Sequence, residues 1–221
     1  MTFTVLARHP QSGLLGAATA SRSLAVGNAV PAVRPGVGAV ASQAWTNRAL
    51  RGLLLDATDA GADAQTAIDR IAEWDAGAPL RQALLLPAHG AGAAHTGTET
   101  TPWTGHLVLE DAIVAGNLLA GPGVLDAMRD ALAPLWTLDA DAPDAAARFA
   151  GVLVGVLAAG EGAGGDVRGR QSAAVLVAGP TEADGTVDLR VDDHADPLDD
   201  LARLVELRAA DLRGTVSARK A

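Results

Sequence analysis

The spacing of apolar residues changes along the chain and predicts an alternation of strand groups and helix groups. Three short apolar runs, separated by Gly, Pro and polar turn residues, open the sequence at 2–7, 14–20 and 37–45. Runs of this length predict three strands, the first two of which form a hairpin. Apolar residues at helical spacing follow, and they predict one helix that ends at Gly61 and a second helix capped by Asp63. The apolar faces of these two helices are Leu50, Leu53, Leu54 and Ala57, then Ala67, Ile68, Ile71 and Trp74.

The same order of strands and then helices occurs a second time. Strand-like runs at 82–88, 93–99 and 112–119 precede two predicted helices, one opened by Gly121-Pro122 and one starting near Asp141. A predicted hairpin of residues 171–179 and 186–193 and a helix from Asp196-Pro197 close the chain. Grouped strands and helices disfavour a doubly wound parallel sheet and favour an α+β fold, with two antiparallel sheets between helical layers. With no linker in 221 residues, we expect residues 1–221 to form one domain.

Composition removes several kinds of chemistry. The chain has no Cys and no Tyr, and its single lysine is Lys220, so the candidate nucleophiles are Ser, Thr and carboxylates. The net charge of −9 and the absence of a basic run argue against a nucleic-acid partner. No signal-peptide segment and no uncharged apolar stretch of membrane-spanning length are present, so we expect a cytoplasmic protein without a membrane partner.

Thr2 is the first candidate for chemistry because it lies at the start of the first predicted strand. Removal of Met1 would place a free α-amine beside the Thr2 hydroxyl. An α-amine has a reference pKa of about 8 and can act as general base for its own hydroxyl. Such a site needs no histidine, metal or cofactor. An ordinary strand threonine is the alternative that position alone leaves open.

Polar clusters in apolar or Gly-rich surroundings supply the other groups that such a site requires. Asn117 is our candidate for stabilising the oxyanion, although backbone N–H groups can also do so. Asp166, with Arg22 and Arg168, is a candidate for tuning the amine, and the arginines for binding a substrate carboxylate. The further candidates for substrate binding are Ser21, Ser42, Gln43 and Gln171.

Six blocks, in order along the chain, resemble the Ntn-hydrolase-like (N-terminal-nucleophile) proteins catalogued as domain of unknown function 1028. The resemblance runs from Thr2 to about Leu204. The blocks are TFTVLARH, ATASRSLAVG, VGAVASQAWTN, GNLLAGPGVL, GGDVRGRQSAAVLV and VDLRVDDHADP. The resemblance implies a four-layer αββα sandwich similar to proteasome β subunits, with the nucleophile at the start of the first strand. His9, Ser42 and His95 depart from the residues common in the family.

The resemblance also sets limits on the activity. Proteasome subunits have a catalytic lysine on the third strand, which this sequence lacks, so peptidase activity is not expected. The hypothesis is a hydrolase that cleaves an amide or cyclic amide of a small substrate through an acyl-enzyme on Thr2. We expect a homodimer or higher homo-oligomer.

Two other functions are compatible with the residues. The fold could serve as a binding or assembly module without chemistry at Thr2. A metal-assisted hydrolase could use the acidic turn Asp192, Asp193 and His194, whose oxygens suit Mg²⁺ or Ca²⁺, although a solvated turn explains that segment better. The histidines lack metal-ligand spacing, and we predict no metal site.

Overall fold

The strands of the described chain assemble into two antiparallel sheets, one of six strands and one of four. The structure is a computed structural model and describes residues 2–181 and 186–219, with side chains to residue 214. The strands are β1 Thr2–Arg8, β2 Leu15–Ser21, β3 Pro31–Arg34, β4 Gly38–Ala44, β5 Arg81–Pro87, β6 Ala93–Thr96, β7 Gly105–Val108, β8 Ala112–Asn117, β9 Ser172–Ala178 and β10 Val187–Val191.

The helices of the described residues include the two predicted groups, the predicted closing helix and one short helix that was not predicted. They are α1 Val26–Ala29, α2 Ala49–Asp59, α3 Ala64–Asp69, α4 Ile71–Trp74, α5 Gly123–Asp130, α6 Ala145–Gly162 and α7 Pro197–Arg219, with short 3₁₀ helices at Ala78–Leu80 and Ala133–Thr137. The α+β class with two antiparallel sheets is thus confirmed.

Strand β1 occupies an inner position of the larger sheet, whose order is β10-β9-β2-β1-β8-β7. It forms the predicted hairpin with β2 and pairs with β8 on its other side, so that Thr2 lies opposite both Ser21 and Asn117. The smaller sheet has the order β3-β4-β5-β6. The start of β1 is therefore surrounded by the ends of β2 and β8.

Alternation along β1 assigns its two faces to different cores. Phe3, Val5 and Ala7 pack in the cluster that includes residues of α5, α6 and α7. Leu6 packs against residues of both sheets, in a cluster that includes Leu84. Thr2 and Thr4 share the parity of Leu6, and their side chains therefore face the smaller sheet.

The outer face of the smaller sheet has its own core. Val40 of β4 and Leu85 of β5 pack with Leu50 and Leu54 of α2 and with Ile68 of α3. The apolar residues that predicted the first two helices are thus the ones that cover this sheet.

Helix α6 packs closely on the larger sheet because β2 has a glycine at the contact. A Cβ added to Gly16 would lie 2.5 Å from side-chain atoms of both Phe149 and Leu153. The helix is long and apolar enough to cross a membrane by length and composition, but 56% of it is buried inside the protein. It is the central helix of this core.

Some element bounds differ from the prediction. Asp63 does cap α3, accepting a hydrogen bond from Thr66 N at 2.8 Å, but the predicted single helix divides at Arg70. There the hydrogen bonds Arg70 N to Ala67 O and Glu73 N to Arg70 O replace the α-helical pattern with i→i+3 bonds. Helix α6 begins at Ala145, four residues later than expected.

Two strands were missed by the sequence pattern. Strands β3 and β7 each have four residues, lie at sheet edges and are mostly half-buried. An edge strand of that length shows no clear apolar alternation, which explains the omission. The predicted closing hairpin is confirmed as β9 and β10, although residues 182–185 of its connection lie outside the described residues.

Candidate active site at the start of the first strand

Thr2 is buried where the two sheets face each other, with 6% of its surface exposed. Its Oγ1 donates a hydrogen bond to Ser21 Oγ at 3.3 Å. Ser21 is itself 2% exposed and ends β2. The sequence predicted both residues as site members, and the pairing of β1 with β2 brings them together.

Three buried amide side chains lie beside the Thr2 backbone. Gln43 Nε2 and Asn117 Nδ2 both donate toward the Thr2 carbonyl oxygen, at 3.5 and 3.4 Å. The same two nitrogens donate to Gln82 Oε1, at 2.7 and 3.2 Å. The exposed fractions of Gln43, Gln82 and Asn117 are 0%, 0% and 2%. The candidates Gln43 and Asn117 thus meet on one carbonyl group.

Gln82 was missed by sequence reasoning, although it joins the other two amides. Its Nε2 donates to Gly116 O at 3.1 Å, to Gly105 O at 3.0 Å and to Thr96 Oγ1 at 3.0 Å. A single amide at the start of the apolar run QALLLP was the available signal. Because both amide atoms of Gln43 and of Gln82 have hydrogen-bond partners, the network fixes which way these two amides point.

Threonine hydroxyls extend the network away from Thr2. Thr4 Oγ1 donates to Gln43 Oε1 at 2.6 Å and lies 2.9 Å from Thr19 Oγ1. Both threonines are fully buried. The side chains that adjoin Thr2 are therefore the hydroxyl of Ser21 and the amides of Gln43 and Asn117.

Asp166 lies in the loop that crosses the ends of β2 and β8, where Leu119 forms a bridge with it. Its buried carboxylate accepts from Arg22 N at 3.0 Å and from Arg168 N at 2.8 Å, and pairs with the Arg168 guanidinium at 3.2 Å. These contacts hold the loop against the segment that follows Ser21. They place the predicted residues Asp166, Arg22 and Arg168 together, one layer outside Thr2.

Gln171 links the same loop to the end of β2. Its backbone N–H donates to Ser21 O at 3.0 Å, and its Oε1 accepts from Arg22 Nη1 at 2.7 Å. Its Nε2 donates to Asp193 Oδ1 at 3.0 Å. Arg22, Gln171 and Asp193 form an exposed chain of contacts at the rim of the site.

Ser42 is the candidate that the structure does not bring to Thr2. It adjoins Gln43 on β4, so its side chain points to the opposite face of the sheet. Its Oγ donates to Asn47 O at 2.8 Å. Ser42 and Gln43 therefore lie on opposite faces of β4, and the role of Ser42 in substrate binding stays a prediction.

The turn after β4 is held by a buried carboxylate. Asp75 Oδ2 accepts from Arg81 Nε at 2.7 Å and from Asn47 Nδ2 at 2.8 Å, and Asp75 Oδ1 accepts from Gly77 N at 2.8 Å. The hydrogen bond from Arg81 is the main cause that lowers the pKa of Asp75 far below its ordinary value, and those from Asn47 and Gly77 add to it against burial. Arg81 Nη1 also donates to Trp45 O at 2.5 Å. This arrangement fixes the turn that contains Trp45.

The histidines and acidic residues do not converge on a metal site. Among the described residues, no group of three or more His, Asp or Glu side chains could hold a metal ion. In the acidic turn, Asp193 contacts Gln171, and His194 Nδ1 accepts from Asp196 N at 3.1 Å. His106 Nδ1 lies 2.8 Å from Thr96 Oγ1, and burial, followed by the charge of His95, lowers the pKa of His106.

Comparison with known proteins identifies the class to which this α+β chain belongs. The model of a family of unknown function, DUF1028, matches residues 2–201. The chain belongs to that family, which confirms the family part of the resemblance seen in the sequence. No curated protein matches the chain.

Solved structures give two neighbours. The crystal structure of protein SPO2555 from Silicibacter pomeroyi, of the same family, is similar to the chain with 32% identity and a TM-score of 0.81, over 93% of this chain and 84% of that one. Anbu, the ancestral β-subunit, from Yersinia bercovieri has 12% identity and a TM-score of 0.41, over 99% of this chain and 96% of that one.

Proposed function

We propose that the protein is an N-terminal-nucleophile hydrolase that cleaves the C–N bond of a small amide or cyclic amide through an acyl-enzyme on Thr2. The proposal includes assignment of the two sheets and their helices to the four-layer αββα fold of that class. It also includes a small-molecule amide substrate, cytoplasmic localisation and a homodimer or higher homo-oligomer, without nucleic-acid or membrane partners.

The observation that carries the proposal is the environment of Thr2. A threonine at the first position of an inner strand has its hydroxyl on Ser21 and its carbonyl held by two buried amides. Buried polar groups are costly unless each has a partner, so a buried network of this size needs an explanation beyond packing. Holding the backbone and hydroxyl of one strand-end residue is such an explanation.

The reaction requires processing that leaves Thr2 as the first residue. The free α-amine then takes the proton of Thr2 Oγ1 as the oxygen attacks the substrate carbonyl carbon. The amine returns that proton to the leaving nitrogen as the C–N bond breaks, leaving an ester on Thr2. Water then attacks the ester as the amine takes a proton from it, the amine returns that proton to Thr2 Oγ1 as the C–O bond breaks, and the acid leaves. Because Thr2 is buried, desolvation favours the neutral amine that this cycle needs.

Asn117 takes a different role in this mechanism from the one that the sequence favoured. Its two amide hydrogens are engaged by Thr2 O and Gln82 Oε1. We therefore assign Asn117 and Gln43 to positioning Thr2, and oxyanion stabilisation to backbone N–H groups, the other donor type expected for such sites. Asp166 holds the loop that adjoins the site.

The test combines turnover with covalent labelling of the processed protein. Mass spectrometry first establishes whether Thr2 is the N-terminal residue. A screen of small amides, ureides and lactams, read by release of ammonia or amine, then compares wild type with Thr2→Ala. We expect Thr2→Ala to lower turnover by roughly a thousandfold or more. A β-lactone probe should label wild type and Thr2→Ser, which keeps the hydroxyl, and spare Thr2→Ala.

Equal labelling of wild type and Thr2→Ala, with both folded, would contradict the proposal. So would full activity of a chain that retains a residue before Thr2.

A binding or assembly module is the second candidate. A groove of about 880 Å³ runs between α6 and α7, away from Thr2, with Gly151, Gly155 and Val205 in its lining. Such a groove suits association with another surface. This function predicts that Thr2→Ala retains every measurable property of the wild type.

A further inference from the structure

The amide network at Thr2 continues to a titratable side chain. Gln82 Oε1 is the shared acceptor of the two amides that donate toward Thr2 O. Gln82 Nε2 in turn donates to Thr96 Oγ1 at 3.0 Å, and Thr96 Oγ1 lies 2.8 Å from His106 Nδ1. His106 is thus connected to the Thr2 carbonyl group through Thr96 and Gln82.

The contact between Thr96 and His106 joins the two sheets at one edge. Thr96 lies opposite Gln82 on β6, the edge strand of the smaller sheet, and His106 lies on β7, the edge strand of the larger sheet. Thr96 and His106 are half-buried, whereas Gln82 is fully buried. His106 can therefore exchange protons with water, while the amide to which it is connected cannot contact water.

The Thr96 hydroxyl constrains the protonation of His106. Among the described residues, its hydrogen-bond partners are Gln82 and His106. Since Gln82 Nε2 is a donor, the single hydroxyl hydrogen of Thr96 is left for His106 Nδ1. That hydrogen has an acceptor only when Nδ1 is unprotonated, so the network as it stands is satisfied by a neutral imidazole.

Protonation of His106 changes what is available to Gln82. A protonated Nδ1 donates to Thr96 and shares that oxygen with Gln82 Nε2, while the Thr96 hydrogen loses its acceptor. Thr96 regains an acceptor if the Gln82 amide rotates and presents Oε1. This rotation takes the shared acceptor away from Gln43 and Asn117. With or without rotation, the hydrogen bonding that orients Gln82 is weakened.

We propose that His106 is a positioning residue for Thr2, and that its neutral imidazole sets the orientation of the Gln82 amide. The proposal rests on the proposed hydrolase function and adds regulation of the same site by pH. His106 acts on Thr2 through Thr96 and Gln82. Turnover is supported where His106 is neutral and declines as His106 becomes protonated.

The surroundings of His106 favour the neutral form. Burial, followed by the charge of His95, lowers the pKa of His106 below its ordinary value of about 6.5. The elements that pack on β7 are β6, β8 and α5. The titratable residues on these elements and in the connection from β6 to β7 are His95, Glu99, Asp126, Arg129 and Asp130. Arg129 pairs with both aspartates, and Glu99 is exposed, so His95 is the neighbour that affects the titration.

The first measurement follows the network without a substrate. The side-chain amide signals of Gln43, Gln82 and Asn117 and the ring signals of His106 are recorded by NMR from about pH 8 to about pH 4.5, the range in which histidine titrates. We expect the signals of Gln82 and Asn117 to change with the same midpoint as those of His106, and that midpoint to lie below the ordinary histidine value.

Two variants assign this change to His106. In His106→Asn, the Oδ1 atom replaces Nδ1 as an acceptor that does not titrate, so the signals of Gln82 should lose the component with the His106 midpoint. His89→Asn, at an exposed histidine beyond the other end of β5, is the matched control. Its Gln82 signals should titrate as in wild type.

Turnover then separates positioning from a structural role. At about pH 8, His106→Leu, which removes the acceptor, should lower kcat by roughly tenfold with little change in KM. His106→Asn should restore kcat. At about pH 5.5, His106→Asn should retain a larger fraction of its kcat than wild type retains, because only the Thr2 amine still titrates in that variant.

Three results would overturn the proposal. One is a set of Gln82 and Asn117 signals that stays constant while His106 titrates. This result needs only wild type and decides the question even if the variants do not fold. Another is an unchanged titration of Gln82 in His106→Asn. The third is the same loss of kcat in folded His106→Leu and His106→Asn. Failure of the proposed hydrolase appears separately, as coupled NMR titrations in a protein without turnover.

Discussion

The space between the two sheets has an apolar end and a polar end, although the same strands form both. At one end, Leu6, Leu84, Leu86 and Ile113 pack together with alanines. At the other end, the same strands present Thr2, Gln82 and Asn117, and β4 adds Gln43. Apolar side chains can pack against their neighbours in several orientations, whereas each buried amide needs a hydrogen-bond partner in a particular position. The polar end therefore defines a geometry, and the apolar end supplies stability.

The largest expected effect on stability is at the apolar end. Leu84→Ala removes a fully buried side chain and should lower the free energy of unfolding by about 2–5 kcal/mol. Urea unfolding measures the change. Leu24→Ala, at a side chain that is 66% exposed, is the matched control and should remain within about 0.5 kcal/mol of wild type. If Leu84→Ala lowered the free energy of unfolding by less than about 1 kcal/mol, the apolar end would not be the main source of stability.

Gln82→Leu disrupts the hydrogen-bond network at the polar end. This change keeps the volume but leaves the amides of Gln43 and Asn117 without their shared acceptor, and should cost about 2–3 kcal/mol. Turnover should also fall, by roughly tenfold, because both amides would be released from the Thr2 carbonyl. The exposed Gln65→Leu on α3 serves as control. If turnover fell by a similar factor in Gln82→Leu and in Gln65→Leu, the network would not be what positions Thr2.

The Asp75 contacts predict a dependence on pH. Since the pKa of Asp75 is lower in the folded state than its unfolded value of about 3.9, its stabilisation is complete above that value. It declines as the pH falls from there toward the folded pKa. Asp75→Asn should cost about 1–2 kcal/mol at pH 7, and the difference from wild type should shrink below a pH of about 4. Urea unfolding at pH 7, 4 and 3 measures this.

Asp59→Asn, at a carboxylate that is 63% exposed, is the control for Asp75. A difference between wild type and Asp75→Asn that stays constant down to pH 3 would contradict the assignment.

The smallest expected effect comes from a comparison of the two faces of β4. Ser42→Ala removes the hydrogen bond to Asn47 O and should cost about 1 kcal/mol. Turnover should not change, because Ser42 lies on the face opposite Gln43. Thr4→Val, a buried change in the network itself, should lower both stability and turnover. Loss of turnover in Ser42→Ala would show that Ser42 contributes to the site.

Local pattern was sufficient for the long elements. The runs of β1, β2 and β5 and the helical spacing of α2 and α6 come from side chains that are buried, so the pattern and the core coincide. The local pattern was insufficient to predict β3 and β7, because their half-buried side chains show no strong periodicity. Gln82 was missed for a related reason, since a single amide in an apolar run is informative only when its neighbours across the sheet are known.

The sequence by itself determined the α+β class, the family and the position of Thr2 at the start of a strand, because these depend on residue order and apolar spacing. Tertiary structure decided which polar residues meet. Strand pairing placed Ser21 and Asn117 beside Thr2, and stacking of the sheets added Gln43 and Gln82 from 41 and 80 positions away along the chain. It also turned Ser42 to the face of β4 opposite Gln43. Such contacts depend on long-range pairing and on the parity of each strand, which local sequence patterns do not encode.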